Sequence, residues 1–307
     1  DLRRAGWIRD YLHHIQGAGR RALVERWLAD FDHRVRPALE HLRQGVIYND
    51  ANDNNIVVHA APRGDGTRAG GRAVAGVIDF GDLCFSNVVC EPAIAAAYAT
   101  MGLPDPVAGI ARLLAGYHTA WPLAAAELEV VHALVCLRLC VSVTNSAYQA
   151  TVEPENRYLT ISEPRAWELL ETLSAVEPRL ALYKYRAACG LPAHPDSPRV
   201  VAWLRAHRER LAPLVEPDLA TARLLHSDWS VGSPELGSPA ERADLPAWTA
   251  RLFGRIREAG ASAAIGGYDE ARPVYESAAF RHRGNDRDEW RTVHLGLDVF
   301  MRAGTVV

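Results

Sequence analysis

The sequence predicts an α+β protein that is mainly helical, with one β-hairpin and a smaller β-rich region near its end. Three observations support this fold class. In several segments apolar residues recur at three- and four-residue steps, as in amphipathic helices. Two short β-rich runs, NIVVHA and AVAGVIDF, are joined by a Gly-rich polar segment that is typical of a long hairpin. The chain has 307 residues, 49% of them apolar, which is enough for two domains.

The first predicted helix covers Gly19 to Leu42, and Pro37 is expected to kink it. The next helices follow the hairpin, and one of them has Asp105 as its N-cap and Pro106 at its first position. These helices are predicted over residues 91–101, 106–120, 122–149, 164–175, 198–211 and 248–259. Residues 227–246 are rich in Ser, Gly and Pro, which predicts a linker.

Composition narrows the function classes. The net charge of −3 gives no basic surface for nucleic acid or an anionic membrane. The apolar run 123–143 is interrupted by Glu127, Glu129 and Arg138, so no transmembrane helix is predicted. The five cysteines form no CxxC pair and are odd in number, which favours free buried thiols in a reducing compartment. We therefore expect a cytoplasmic protein without nucleic-acid or membrane partners.

Small polar side chains are crowded in VIYNDANDNNIVV, residues 46–58. If the two β-rich runs pair antiparallel, the start of the first lies opposite the end of the second, so Asn55 is expected beside Asp79. A carboxylate and a carboxamide oxygen at one strand end suit Mg²⁺. Asp50, just upstream, is placed to accept the proton of an attacking hydroxyl. Asp82 is a candidate for extending the metal shell.

The alternative is a turn whose Asx side chains cap backbone groups. We prefer that interpretation for Asn52, Asp53 and Asn54. For Asp50, Asn55 and Asp79 we prefer a functional role, because their spacing and inferred pairing agree.

The segments YNDANDNN and GVIDFGD resemble the catalytic and metal-binding loops of the aminoglycoside phosphotransferase/choline kinase family. The run from Val77 to Ala99 is most similar to the hydroxylysine-kinase-like branch. The resemblance implies a protein-kinase-like C-terminal lobe over residues 1–215, in which Asp50 is catalytic. It further implies that Asn55 and Asp79 bind the Mg²⁺ of ATP or GTP, and that the acceptor is an amino alcohol or a hydroxylated amino acid.

Two features depart from the family pattern. Tyr48 stands where the family usually has His, and its hydroxyl is expected to take over the positioning of the loop. Kinases also need a Gly-rich phosphate loop and a lysine upstream of the catalytic loop. Lys184 is the only lysine in the chain, and 49 residues precede Asp50. We therefore expect a piece of a longer product that is weakly active or inactive by itself.

Arg138 and Asn145 share one helical face and are candidates for binding the carboxylate of an amino-acid acceptor, since Arg binds carboxylates with two hydrogen bonds. The alternative, an arginine on the helix surface and a buried, satisfied asparagine, stays open.

The chain ends with RTVHLGLDVFMRAGTVV, in which His294 and Asp298 are a candidate metal-ligand pair and Gly296 permits the backbone to bend. Taken alone, a surface His and Asp would be the default interpretation. In context the segment resembles a lysostaphin-type zinc endopeptidase domain, here truncated to residues 264–307, with residues 216–263 as linker and helix. In the branch named above such a domain occurs fused to a class III aminotransferase. The resemblance implies Zn²⁺ in a complete domain, and pyridoxal phosphate only where the aminotransferase is present.

The leading hypothesis is a small-molecule kinase. A zinc metallopeptidase-like protein, in which the first part is a carrier, is one alternative. A non-catalytic pseudokinase that binds nucleotide is the other, because of Tyr48 and the missing upstream lysine.

Overall fold

The computed structural model describes residues 1–60, 72–156, 162–210, 215, 218–276, 278–283 and 288–305. The chain divides into two units, Asp1–Ala175 and Val176–Val307. Helices dominate the first unit, and short strands are more frequent in the second. The predicted α+β class is confirmed.

The first unit begins with a 3₁₀ helix, Leu2–His14, and continues with the α-helices α1 Ala18–Asp30, α2 Arg36–Leu39, α3 Cys90–Ala99, α4 Pro106–Ala120, α5 Ala125–Val152 and α6 Glu163–Ser174. The helix predicted over 19–42 is present over 18–39, with a π-helical turn, Phe31–Val35, between α1 and α2. Pro37 lies in the first turn of α2. Proline has no N–H to donate to the helical ladder, and it follows closely on the π-helical turn, which is an irregularity in an otherwise continuous helical backbone.

Helix α5 lies at the centre of the first unit. Its buried residues occur on all sides, among them Leu134, Cys136 and Leu139. It packs against the 3₁₀ helix, α1, α3 and α6. A helix that is apolar all round belongs in a protein interior. Arg138 therefore projects from a firmly packed element.

Two antiparallel ribbons bring two loops together. Strand β1 (Gln44–Ile47) pairs with β4 (Cys84–Asn87), and β2 (Ile56–Ala60) pairs with β3 (Arg72–Val77). The second ribbon is the predicted hairpin, with Ile56 opposite Val77 and a bulge after Val57. The hairpin connection, 61–71, lies outside the described residues. Loop 48–55 joins β1 to β2 and loop 78–83 joins β3 to β4, so both loops lie where the ribbons meet.

The second unit contains the helices α7 Pro178–Ala188, α8 Ser197–Ala206, α9 Pro239–Ala243 and α10 Leu245–Glu258. Its strands are β5 Leu224–Ser227, β6 Ala263–Gly266, β7 Glu270–Ala271, β8 Arg281–Arg283, β9 Asp288–Trp290, β10 Val293–His294 and β11 Val299–Phe300. Strand β6 pairs parallel with β5 and antiparallel with β11. Parallel strands need a crossover connection, which α9 and α10 supply between β5 and β6. Strand β7 pairs with β10, and β8 with β9.

Residues 227–246, expected to be a linker, belong to the packed second unit. Trp229 and Leu236 are buried in one cluster with Leu252, Ile256 and Ala264. Apolar side chains scattered among Ser, Gly and Pro are thus anchored in a core, which composition alone does not reveal. The first unit also ends earlier than the boundary expected at 215, because α7 packs within the second unit, with Leu180 and Tyr183 in a cluster with Val231 and Ala271.

All five cysteines are free; four are buried and Cys84 is half-buried. In the parts of the chain that the structure describes, none of the helices combines the length and the apolar character needed to span a bilayer.

Candidate functional site

The half-buried carboxylate of Asp50 is held at both oxygens. Oδ2 accepts hydrogen bonds from the side-chain amides of Asn52 and Asn55, each at 2.9 Å. Oδ1 accepts a hydrogen bond from Nη2 of Arg138, also at 2.9 Å. Charge-assisted hydrogen bonds of this kind are shorter and stronger than neutral ones. Asp50 is therefore an oriented carboxylate on the loop that enters strand β2.

Asn52 organises the turn that follows Asp50. Its Oδ1 accepts the backbone N–H groups of Asn54 and Asn55 at 2.8 and 3.2 Å. The capping role expected for Asn52 is confirmed. Its amide also binds Asp50, a contact that turn preferences do not predict.

Asn55 is buried directly before β2, and the nitrogen of its side-chain amide points toward the loop. Besides the carboxylate, Nδ2 contacts the backbone carbonyl of Asp50 at 3.1 Å. This orientation leaves Oδ1 as the atom able to meet a cation. The backbone carbonyl of Asn55 accepts from Ile78 at 3.0 Å, directly before Asp79. The two segments that carry Asn55 and Asp79 are thus adjacent.

Asp79 occupies the left-handed backbone region, with φ at +61°. Its side chain is exposed, and Oδ1 accepts the backbone N–H of Gly81 at 3.3 Å. Asp82, three residues on, is exposed as well. Carboxylate and carboxamide oxygens are the donors that Mg²⁺ prefers, so this donor set fits the ion.

Tyr48 links the two loops. Its hydroxyl donates to the carbonyl of Ile78, and its ring meets Phe80 edge-on at 5.6 Å. Desolvation raises the pKa of Tyr48 above its usual value, and the Asp50 and Asp79 carboxylates add to the effect. A neutral hydroxyl donor at this place gives the loop a hydrogen bond across to loop 78–83.

Glu91, which no sequence pattern singles out, contacts the same loop. Its Oε2 accepts the backbone N–H of Asn49 at 2.8 Å. Asn49 is buried and also left-handed, with φ at +68°. Burial raises the pKa of Glu91, and the charge of Asp50 adds to it. An Asn before the candidate base is the only sequence signal for this contact, since Asn tolerates positive φ.

Arg138 and Asn145 differ in their surroundings. Arg138 lies against Asp50 and also donates to the hydroxyl of Tyr98 from Nε at 3.1 Å and from Nη2 at 2.7 Å. Asn145 is exposed, seven residues and roughly 10 Å further along α5. The structure thus brings Arg138, but not Asn145, into contact with Asp50. Tyr98 was missed because its partner is forty residues away.

In the second unit, Nε2 of His294 lies 3.4 Å from Oδ2 of Asp298. Nε2 is buried without a hydrogen-bond partner, and a Cβ on Gly296 would lie 2.8 Å from it. The glycine thus makes room for the approach. Arg272, however, also binds Asp298, and Glu270 at 2.8 Å. Among the described residues, no group of three or more His, Cys, Asp or Glu side chains converges on a metal position.

Comparisons with known proteins concern the part of the chain that contains the first site. Residues 1–127, which include Asp50, Asn55 and Asp79, match the model of the phosphotransferase enzyme family. The hydroxylysine kinase of Mus musculus is 30% identical over 174 residues, which cover 56% of this chain and 46% of the relative. The hydroxylysine kinases of Bos taurus and Xenopus laevis are 29% and 28% identical over 174 residues, with the same coverage.

These relatives support the kinase family for the matched part of the chain. The chain spans about half the length of the curated relatives it matches, at 46%. No solved structure matches the chain at a significant level.

Proposed function

We propose that the protein of which this chain is a part transfers the γ-phosphoryl group of ATP or GTP to the hydroxyl of a small molecule. The observation that carries this proposal is the Asp50 carboxylate, which is fixed at both oxygens beside a set of hard oxygen donors. Its position inside the region that matches the phosphotransferase enzyme family supports it.

In the proposed reaction, Asp50 accepts the proton of the acceptor hydroxyl as that oxygen forms its bond to phosphorus. The bond from the γ-phosphorus to the bridging oxygen of the nucleotide breaks, and the nucleoside diphosphate leaves. A positioned carboxylate of this kind accelerates transfer by about 10²–10⁴-fold. Asn52, Asn55 and Arg138 orient the carboxylate for this step.

Asn55 and Asp79 would hold Mg²⁺, and Asp82 is the candidate for a further oxygen in its shell. When bound, the ion would offset the negative charge on the phosphates of the nucleotide. Tyr48 keeps the two loops together, so that the oxygens of both loops remain near one another.

For the acceptor we propose a hydroxylated amino acid, with an amino alcohol as the less favoured class. The printed function of the relatives, hydroxylysine kinase, supports this choice. Arg138 is the side chain best placed for the acceptor's carboxylate, because its guanidinium already lies at the candidate base. Asn145 is a second candidate further along the same helix.

The test uses the full-length gene product. Mg²⁺-dependent nucleotide consumption is measured against hydroxylysine, other hydroxylated amino acids and ethanolamine, beside the Asp50→Asn and Asp79→Ala variants. The proposal expects turnover with one acceptor, a loss of at least about a hundredfold in Asp50→Asn, and a raised Mg²⁺ requirement in Asp79→Ala. Nucleotide binding without turnover in the wild type would instead favour the pseudokinase.

A second candidate function concerns zinc in the second unit. The unpartnered Nε2 of His294, 3.4 Å from Asp298, favours it, and the competing Arg272 opposes it. The peptidase-like domain over 264–307 is proposed as part of a longer kinase product, which would also carry a fused aminotransferase with its pyridoxal phosphate. Equilibrium dialysis against Zn²⁺ with wild type and His294→Ala tests it; equal zinc content in both would contradict a role for His294.

A further inference from the structure

The guanidinium of Arg138 is shared between two partners. One is Asp50, at 2.9 Å from Nη2. The other is the Tyr98 hydroxyl, which accepts from both Nε and Nη2. The Arg138 and Asp50 side chains are 17% and 20% exposed, so their ion pair is largely shielded from water and screened less than a surface pair.

The donors on the two oxygens of Asp50 differ in origin. Asn52 and Asn55 belong to the same loop as Asp50, so they shape the loop but move with it. Arg138 belongs to α5, whose neighbouring residues Leu137 and Leu139 are fully buried. The hydrogen bond from Arg138 therefore ties the carboxylate to the helical core of the first unit.

Tyr98 holds the guanidinium at a second point. It lies near the end of α3, which packs directly against α5. Two N–H groups of one plane that converge on one hydroxyl leave the guanidinium little freedom to rotate. The remaining N–H of Nη2 is thereby directed at Asp50. Tyr98 reaches the carboxylate through Arg138.

We propose that Tyr98 and Arg138 are positioning residues that hold Asp50 in place for phosphoryl transfer. This inference rests on the proposed function, in which Asp50 is the base. It assigns a role to Tyr98, and it makes the positioning of Asp50 the main role of Arg138. A misplacement of the base by about 1 Å lowers turnover by roughly a hundredfold, whereas nucleotide binding does not depend on it.

The experiment combines Tyr98→Phe, Arg138→Met, Arg138→Lys and the double variant Tyr98→Phe/Arg138→Met in the full-length protein. Phenylalanine removes one hydroxyl and retains the ring, which lies 5.2 Å from the guanidinium carbon. Lysine keeps the charge but loses the planar fork. The matched controls are Tyr268→Phe and Arg112→Met, at exposed positions.

We expect kcat to fall about fivefold in Tyr98→Phe and about a hundredfold in Arg138→Met, with KM for the nucleotide unchanged. Arg138→Lys should recover only part of kcat. In the double variant the loss should equal that of Arg138→Met alone, because Tyr98 acts through Arg138. A loss of kcat in the double variant equal to the product of the two single losses would overturn this inference, since it would show that Tyr98 acts independently of Arg138.

Amide hydrogen exchange supplies a readout that needs no turnover. In Tyr98→Phe and in Arg138→Met the amides of residues 49–55 should exchange several-fold faster, while the buried amides of α5 keep their wild-type rates. Unchanged exchange in the loop would overturn the positioning role, whatever the activity. If the variants change the exchange rates but the wild-type protein transfers no phosphate, the anchoring of the loop is supported and the proposed function is contradicted.

Discussion

The backbone N–H of Asn49 donates a 2.8 Å hydrogen bond to the carboxylate of Glu91. Asn49 directly precedes Asp50, and Glu91 lies in the first turn of α3. The contact therefore fixes the candidate base to a helix from a second direction, in addition to Arg138.

Replacing Glu91 by Ala should lower the free energy of unfolding by roughly 1–3 kcal/mol, because the buried N–H of Asn49 loses its acceptor. Glu91→Gln keeps an acceptor and should have a smaller effect. Urea unfolding at neutral pH measures both. Glu129→Ala, at an exposed position on α5, is the control and should change the free energy by no more than about 0.5 kcal/mol. Equal losses in Glu91→Ala and Glu129→Ala would refute the prediction.

The stability of the protein should also depend on pH through Glu91. Burial raises its pKa above the usual 4.5, with a contribution from the charge of Asp50. The folded state then binds the proton of Glu91 more tightly than the unfolded state. The stabilisation of the fold by this tighter proton binding is complete below pH 4.5 and is lost as pH rises through the folded-state pKa. We expect the free energy of unfolding of Glu91→Gln, relative to wild type, to increase between about pH 4 and pH 7. A difference that stays constant over this range would contradict the shift.

Tyr48→Phe should loosen the two loops, because it removes the hydrogen bond to the carbonyl of Ile78, next to Asp79. The loss of stability should be about 0.5–1.5 kcal/mol. In the full-length protein the Mg²⁺ concentration for half-maximal activity in the proposed phosphoryl transfer should rise. Tyr48→His, which restores a ring donor, should recover part of the effect. An unaltered Mg²⁺ requirement in Tyr48→Phe would argue against this role.

Arg272→Met should destabilise the second unit by about 3–5 kcal/mol, since Arg272 is 3% exposed and its loss leaves Glu270 and Asp298 without their cation. The exposed Arg302→Met is the matched control. Denaturant unfolding followed by tryptophan fluorescence measures the change. Adding Asp298→Asn to Arg272→Met should restore part of the stability, and no rescue would show that repulsion between the carboxylates is not the cause.

Thiol labelling should distinguish Cys84 from the other four cysteines. Burial raises the pKa of Cys90 to about 12 and also raises the pKa values of Cys136, Cys140 and Cys189. The thiolate is the reactive form, so only the half-buried Cys84 should react quickly in the native protein. A chromogenic disulfide reagent should therefore count one fast thiol before denaturation and five after it. Cys84→Ser should abolish the fast phase.

Local patterns were sufficient to predict the hairpin and its two loops. The segments that form β2 and β3 are mostly apolar, and Asn and Asp residues, which are rare within strands, flank them at one end. The pairing of β1 with β4 could not be predicted, because short strands far apart in sequence carry no mutual signal. The same holds for Tyr98 and Glu91, whose contacts with the loop depend on how α3 packs.

In the second unit, composition favoured a linker where the chain builds a core. Trp229 and Leu236 are isolated apolar residues in a segment that is otherwise polar and rich in turn formers. Their burial depends on α10 and β6, which follow later in the chain. The spacing of apolar residues reveals a helix or a strand, but it does not reveal a loop in which only single side chains are buried in the core.

Asn49 and Asp79 both adopt positive φ, a conformation that costs most non-glycine residues about 1–2 kcal/mol and that Asn and Asp tolerate better. Glycine would relieve this strain at either position and should make the protein more resistant to heat. It would also remove the carboxylate proposed as a metal ligand at Asp79. The two loops therefore lie below their attainable stability, and a selection for thermostable variants alone should accumulate glycine at these positions while it loses the proposed metal ligand.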